Sequence, residues 1–240
     1  MSPSSRTEPP LITALAPLFR GLSHLAFRLD VRGAENLRTP AIIIANHICH
    51  LDALILPTVL YEAGIIPRFA VKKELFRGPV DRLLRQAGQI RVDRDHPVGV
   101  IEQLGAVLDE GHSLTVFPEG TFTREPNGWP MRLKTGFARV ARTHPDVPII
   151  PVAMWGAHRV LDVPNHTIHL GAALRRPRIC VEVGEPLRAS GSPREVTQAG
   201  HEALTELVAR LRLRMGEQVT PPAEAWFGEN WPRGRWRLTR

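Results

Sequence analysis

A histidine and a carboxylate five positions apart, His47 and Asp52, close the stretch Ala41-Ile42-Ile43-Ile44-Ala45-Asn46-His47-Ile48-Cys49-His50-Leu51-Asp52. Histidine is the side chain best suited to take a proton near neutral pH, and a carboxylate on its other ring nitrogen fixes the tautomer and steadies the imidazolium. Neighbours on one face of a helix are three or four residues apart, so this spacing requires a turn between the two. The pair has no nucleophile of its own unless Cys49 serves. The simplest chemistry then has a substrate hydroxyl attacking, which is acyl transfer onto an alcohol. The string His47-x-x-His50-x-Asp52 also contains metal-ligand types, and as plain structure His47 would cap a corner and Asp52 the next helix. No further His or Cys cluster at ligand spacing follows, so no metal is expected.

The dyad needs a strand to deliver it and a helix to hold it. The apolar run from Ala41 to Ala45 reads as a buried strand, and Ala53 to Leu60 as an apolar helix that Pro57 should kink or restart. A second apolar strand, Ser113 to Phe117, also ends in a polar corner, Pro118-Glu119-Gly120-Thr121. A glutamate between Pro and Gly reads there as a ligand-facing carboxylate suited to a hydroxyl or phosphate.

Between these corners, Arg68 to Lys73 reads as a strand, Glu74 to Gln86 as a helix closed by Gly88, Gln89 to Val92 as a strand and Val98 to Glu110 as a helix. Basic residues gather past the strand ends, Lys72, Lys73 and Arg94 among them, placed to meet an anion. Beyond the second corner, Arg124 to Arg132 reads as a mobile loop from Asn127-Gly128 and its prolines, and Lys134 to Ala141 as a helix. Val147 to Ala153 is a buried run whose two prolines predict an edge or irregular strand. Ile179 to Val183 is a late strand. Ser192-Pro193-Arg194-Glu195 then opens a helix through Leu211 with a capping box. This alternation is that of an α/β sandwich.

Composition limits the partners. The chain has 240 residues, 43% of them hydrophobic, enough for one large domain. Thirty-one Lys and Arg against 24 Asp and Glu give +7, which favours an anionic partner: a phospholipid surface, a phosphorylated substrate or nucleic acid. Neither zinc-finger spacing nor an aromatic RNA-binding string is present, so nucleic acid is not expected. Two distant cysteines, Cys49 and Cys180, describe no disulfide framework and suit a reducing compartment, and no secretory signal is read at the N-terminus. Leu11, Leu15, Leu18, Phe19, Leu22 and Leu25 recur at helical spacing, too short and polar a segment to span a bilayer, and fit either an interfacial helix or one packed on the core. The tail mixes Trp226, Trp231 and Trp236 with arginines, which suits a bilayer interface or loose packing on the domain.

With His47-x-x-x-x-Asp52 at one strand end and Phe117-Pro118-Glu119-Gly120-Thr121 at another, the chain resembles the glycerolipid acyltransferases of the 1-acylglycerol-3-phosphate O-acyltransferase type. Gly88-x-Ile90-x-Val92-Asp93-Arg94, Val147 to Val152, Lys73-Glu74-Leu75 and Lys134-x-Gly136 add to the likeness. The resemblance covers roughly Leu11 to Met215. It implies a mixed central sheet flanked by helices in a single acyltransferase domain over 30–215, preceded by an amphipathic segment over 1–29 and followed by a tail over 216–240. It further implies His47 as general base oriented by Asp52, with Arg94, Glu119, Gly120, Thr121, Arg124, Lys73 and Lys134 binding substrate. The acyl donor would be acyl-CoA or acyl carrier protein, the acceptor a lysophospholipid, and no cofactor would be needed. The implied place is the cytoplasmic face of the cell membrane, peripherally bound, in phospholipid biosynthesis. The family often continues Glu-Gly-Thr with Arg-Ser, whereas Phe122-Thr123 follow here. Arg124 must then bend back to grip a phosphate, or the acceptor head group differs.

Overall fold

The computed structural model describes residues 10–93, 99–125, 127–162 and 167–219. In chain order the elements are α1 (Pro10–Ala26), β1 (Arg28–Arg32), β2 (Ile42–Ala45), α2 (Asp52–Glu62), β3 (Pro67–Lys72), α3 (Gly78–Gln86), β4 (Ile90–Val92), α4 (Val100–Asp109), β5 (Ser113–Val116), α5 (Gly136–Thr143), β6 (Ile149–Trp155), β7 (Leu161–Asp162), β8 (Thr167–Ile168), α6 (Leu170–Leu174), β9 (Arg178–Val183) and α7 (Pro193–Arg214). Strands β2, β5 and β6 are buried at every position, as strands covered on both faces are. They form the middle of a seven-stranded sheet of order β1-β9-β6-β2-β5-β3-β4, with β7 and β8 in a separate hairpin. Within the large sheet every pair is parallel except β6 with β9.

Side chains alternate across this sheet and split the core in two. Ile43, Ala45, Ile150 and Val152 face Ile55, Leu56, Val59 and Leu60 of α2. Ile42, Ile44, Leu114 and Ile149 face α4, α5 and α7 through Leu104, Phe137, Val140 and Leu204. Because β2, β5, β3 and β4 run the same way, their carboxyl ends share one edge, and both polar corners open there.

The mixed sheet flanked by helices is as the sequence predicts, with local differences. Strand β1 is an edge strand that its alternating charged residues conceal. Helix α2 runs unbroken through Pro57. An interior proline costs about 3 kcal/mol, while four fully buried aliphatic side chains gain roughly 1.5–3 kcal/mol each. Strand β6 lies in the sheet interior rather than at an edge: Pro148 precedes it, and Pro151 accepts the Gly184 N–H just past the end of β9, so the donor it lacks falls where that ladder stops. The helix expected over Glu74 to Gln86 is divided into a 3-10 turn, Lys73–Leu75, and α3. At α7 the capping box is complete, Ser192 Oγ accepting from Glu195 N–H and the Glu195 carboxylate from Ser192 N–H at 2.7 Å.

Candidate active site

The corner after β2 begins with an amide. Asn46, almost fully buried, donates from Nδ2 to the Met154 carbonyl at 3.0 Å and accepts the Met154 N–H on Oδ1 at 2.8 Å. Its side chain thus stands in for one rung of the β2–β6 ladder while the main chain turns away. Asp52 opens α2, and its Oδ2 accepts from the backbone N–H of Ile48 at 2.7 Å, the N–H of Cys49 at 2.9 Å and His47 Nδ1 at 2.9 Å. A carboxylate only accepts, so Nδ1 carries the proton and Nε2 is the acceptor nitrogen. The aspartate side chain is 1% exposed and the histidine 15%, so the imidazole meets solvent and the carboxylate does not.

Aromatic rings set the plane of the imidazole. Phe117 stacks on it at 4.0 Å between centroids, and Phe122 lies across it at 4.3 Å and across His50 at 4.4 Å. Phe117 and Pro118 also line a groove of about 340 Å³ walled by Ala70, Val100, Ile101 and Leu104, with Lys134 and Gly120 among its polar lining. The groove is mostly apolar and is bordered by Phe117, the ring stacked on the His47 imidazole.

Glu119, read from the sequence as facing a ligand, turns inward. Its Oε1 accepts the His47 N–H at 2.9 Å and its Oε2 the Met131 N–H at 2.8 Å, while Thr123 N–H donates to the His47 carbonyl at 2.7 Å. Gly120, at φ +78°, makes the left-handed turn that lets the chain reverse beneath the dyad. Burial pushes the Glu119 carboxyl up to about 8, the Asp52 charge adding to this and the two N–H donors opposing it. Both of its oxygens are committed to the main chain, one of them at His47.

The family model for acyltransferases matches residues 28–155, the span from β1 through both corners to the end of β6. The chain belongs to the acyltransferase family. Over 136 residues it is 32% identical to a 1-acyl-sn-glycerol-3-phosphate acyltransferase of Limnanthes alba, covering 54% of this chain and 46% of that one. Over 135 residues it is 30% identical to the enzyme of the same name from Cocos nucifera, covering 54% and 42%. The chain thus spans less than half the length of these curated relatives. Its fold is similar to that of the 1-acyl-sn-glycerophosphate (LPA) acyltransferase PlsC from Thermotoga maritima, with a TM-score of 0.68 and 20% identity over 88% of this chain and 81% of that one.

In this acyltransferase fold the other expected site residues spread along the same edge. Lys73 pairs with Asp93 at 2.8 Å, joining the ends of β3 and β4. Lys134 is exposed at the groove, Thr121 is half-buried, and Arg124 is exposed with its N–H on Met131 Sδ. Arg94 lies outside the described residues, as do the tail tryptophans. Cys49 is buried, and burial followed by the Asp52 charge pushes its thiol up to about 12, which removes it as a nucleophile at neutral pH. His50 is exposed against Phe122 and makes no bond to Asp52.

The segment read as a mobile loop is pinned. Trp129 is 1% exposed, and Thr123 Oγ1 donates to its carbonyl at 2.6 Å. His201 of α7, its ring held neutral by burial, donates from Nε2 to the Pro130 carbonyl at 3.1 Å. The Arg212 guanidinium sits 4.9 Å from the ring centroids of both Trp129 and Trp155 and donates to Asn127 O and to Glu217. A tryptophan amid polar turn residues was the available signal for this anchoring.

Proposed function

We propose that this chain transfers a fatty acyl group from an acyl thioester to the hydroxyl of a lysophospholipid, with 1-acylglycerol-3-phosphate as the foremost acceptor. The observation that carries this reading is the His47 Nδ1 to Asp52 bond at 2.9 Å beside an apolar groove. His47 Nε2 takes the acceptor's hydroxyl proton as its oxygen bonds to the thioester carbonyl carbon. The tetrahedral intermediate then collapses, the carbon–sulfur bond breaks, and the imidazolium returns the proton to the leaving thiolate. Asp52 keeps the ring in the productive tautomer and offsets its transient charge. No acyl-enzyme and no cofactor enter this scheme, and the donor is acyl-CoA or acyl carrier protein.

The groove suits the acyl chain, and the cations Lys73, Lys134, Arg94 and Arg124 are the candidates for the acceptor's phosphate. Such a substrate resides in a bilayer. Among the described residues no helix is long and apolar enough to cross a membrane. Helix α1 instead exposes Leu18, Phe19, Leu22 and Leu25, which suits peripheral attachment at the cytoplasmic face.

Purified protein, acyl-CoA and a panel of lysolipids, run beside His47→Ala and Asp52→Ala, test the reading. Acylated lipid that disappears in the His47 variant is expected. Free fatty acid without acylated lipid would make the chain a hydrolase, and a fully active His47→Ala protein would remove the base from the mechanism.

A further inference from the structure

Helix α3 has no buried residue along its nine-residue length. Val80, Leu83, Leu84 and Ala87 follow the i, i+3, i+4, i+7 spacing of a single apolar face, and Val80 and Leu83 are 48% and 45% exposed. A helix this short is marginal in water unless its apolar face is covered. Leu75, in the turn before it, is 57% exposed. Helix α1 touches α3 and carries four more exposed apolar side chains, so seven of the ten large exposed hydrophobics among the described residues sit on α1, α3 and the turn before α3. Scattered exposure is ordinary on a protein surface, whereas this concentration marks a contact surface.

Charge narrows what the contact is. Helix α1 carries no acid, and α3 with the turn before it carries only Glu74 and Asp81, the latter held by Arg85 at 2.9 Å, while Glu62 of α2 is held by Arg20 and His24. Arg77 and Arg82 are exposed and have no acidic partner among the described residues. Apolar side chains beside uncommitted arginines fit a bilayer with anionic head groups. The position fits too: β3 runs parallel to β5, so the turn leading into α3 leaves the sheet at the edge where His47 and Glu119 lie.

We propose that α3 and the turn before it are a second lipid-docking element beside α1. Val80, Leu83 and Leu75 enter the acyl region of an anionic phospholipid bilayer, while Arg77 and Arg82 meet its phosphates. Docking through both elements turns the dyad's edge toward the lipid from which the acceptor arrives. This rests on the lysophospholipid reading above, and the experiment separates the two.

Sedimentation with vesicles of phosphatidylglycerol and phosphatidylcholine, and of phosphatidylcholine alone, is measured for the wild-type chain, for Val80→Glu with Leu83→Glu, and for Arg77→Gln with Arg82→Gln. Turnover is followed with a vesicle-borne acceptor and with a monomeric short-chain acceptor, and circular dichroism and solution mass check each variant. The glutamate pair should lower partitioning and vesicle-borne turnover by about tenfold or more, with monomeric turnover unchanged. The glutamine pair should lose binding to the anionic vesicles alone, and it tests the site even if the glutamate pair misfolds. Unchanged binding in both variants overturns the proposal, as does a wild-type chain that ignores vesicles. Loss of monomeric turnover with binding intact, or a change of solution mass with binding intact, also overturns it, making α3 part of the catalytic domain or a protein interface. If binding depends on α3 while no lysolipid is acylated, docking stands and the acyl-transfer reading fails.

Discussion

The Glu119 side chain accepts the backbone N–H of His47 at 2.9 Å, so the second polar corner is anchored to the main chain of the first. Two strand ends that are neighbours in the sheet, β2 and β5, are thereby tied together at His47.

Glu119→Gln tests that tie. A glutamine offers one acceptor where two backbone N–H groups now each find one, so one buried donor is left facing an amide NH2. A loss of about 1–3 kcal/mol is expected in chemical denaturation, with turnover falling while the donor KM holds. A folded Gln variant with wild-type turnover would remove Glu119 from positioning.

The same residue makes stability depend on pH. Its carboxyl is raised from 4.5 to about 8, so the folded chain holds the proton more tightly than the unfolded one. That contribution is whole below about 4.5 and is lost as pH rises through 8. Denaturation free energies between pH 5 and 8 should fall more steeply for the wild type than for Glu119→Gln, and parallel curves would refute the assignment.

The dyad's two members should fail differently. His47→Ala removes the base and is expected to cut turnover by about 10²–10⁴-fold with little change in melting temperature. Asp52→Ala also strips the acceptor from the Ile48 and Cys49 N–H groups, each loss worth about 1–3 kcal/mol. Activity and thermal stability should therefore drop together, as melting curves beside initial rates will tell.

Arg212→Ala should loosen the loop over the dyad from the far side of the chain. Each cation–aromatic contact is worth about 0.5–2 kcal/mol, and Arg212→Lys should recover part of the loss because it keeps the charge. The expected readout is a lower midpoint of unfolding together with slower turnover, and protease cutting near Asn127-Gly128 gives a local check.

Much of this was legible in the sequence because apolar runs that stop at polar clusters are a strong signal. The β2 and β5 strands, both corners and the Ser192 cap stand where the residues place them. Glu119 was misread because a carboxylate facing a ligand and one facing main-chain N–H groups look the same in a sequence. The difference lies in how β2 and β5 are set side by side, which no local pattern records. The segment over 124–132 misled through Asn127-Gly128 and its prolines, whereas its anchors, His201 and Arg212, lie more than seventy residues away. In β6 the prolines argued for an edge because their offset from the end of β9 was not visible.

The amide at Asn46 has a consequence for which changes this corner can accept. It closes one bond as donor and one as acceptor with a single main-chain residue, in a space with almost no exposure. Aspartate would supply two acceptors, leucine neither group, and glutamine the right groups on too long a stem. Position 46 therefore tolerates none of these replacements, and any library built to retune this enzyme should leave it alone.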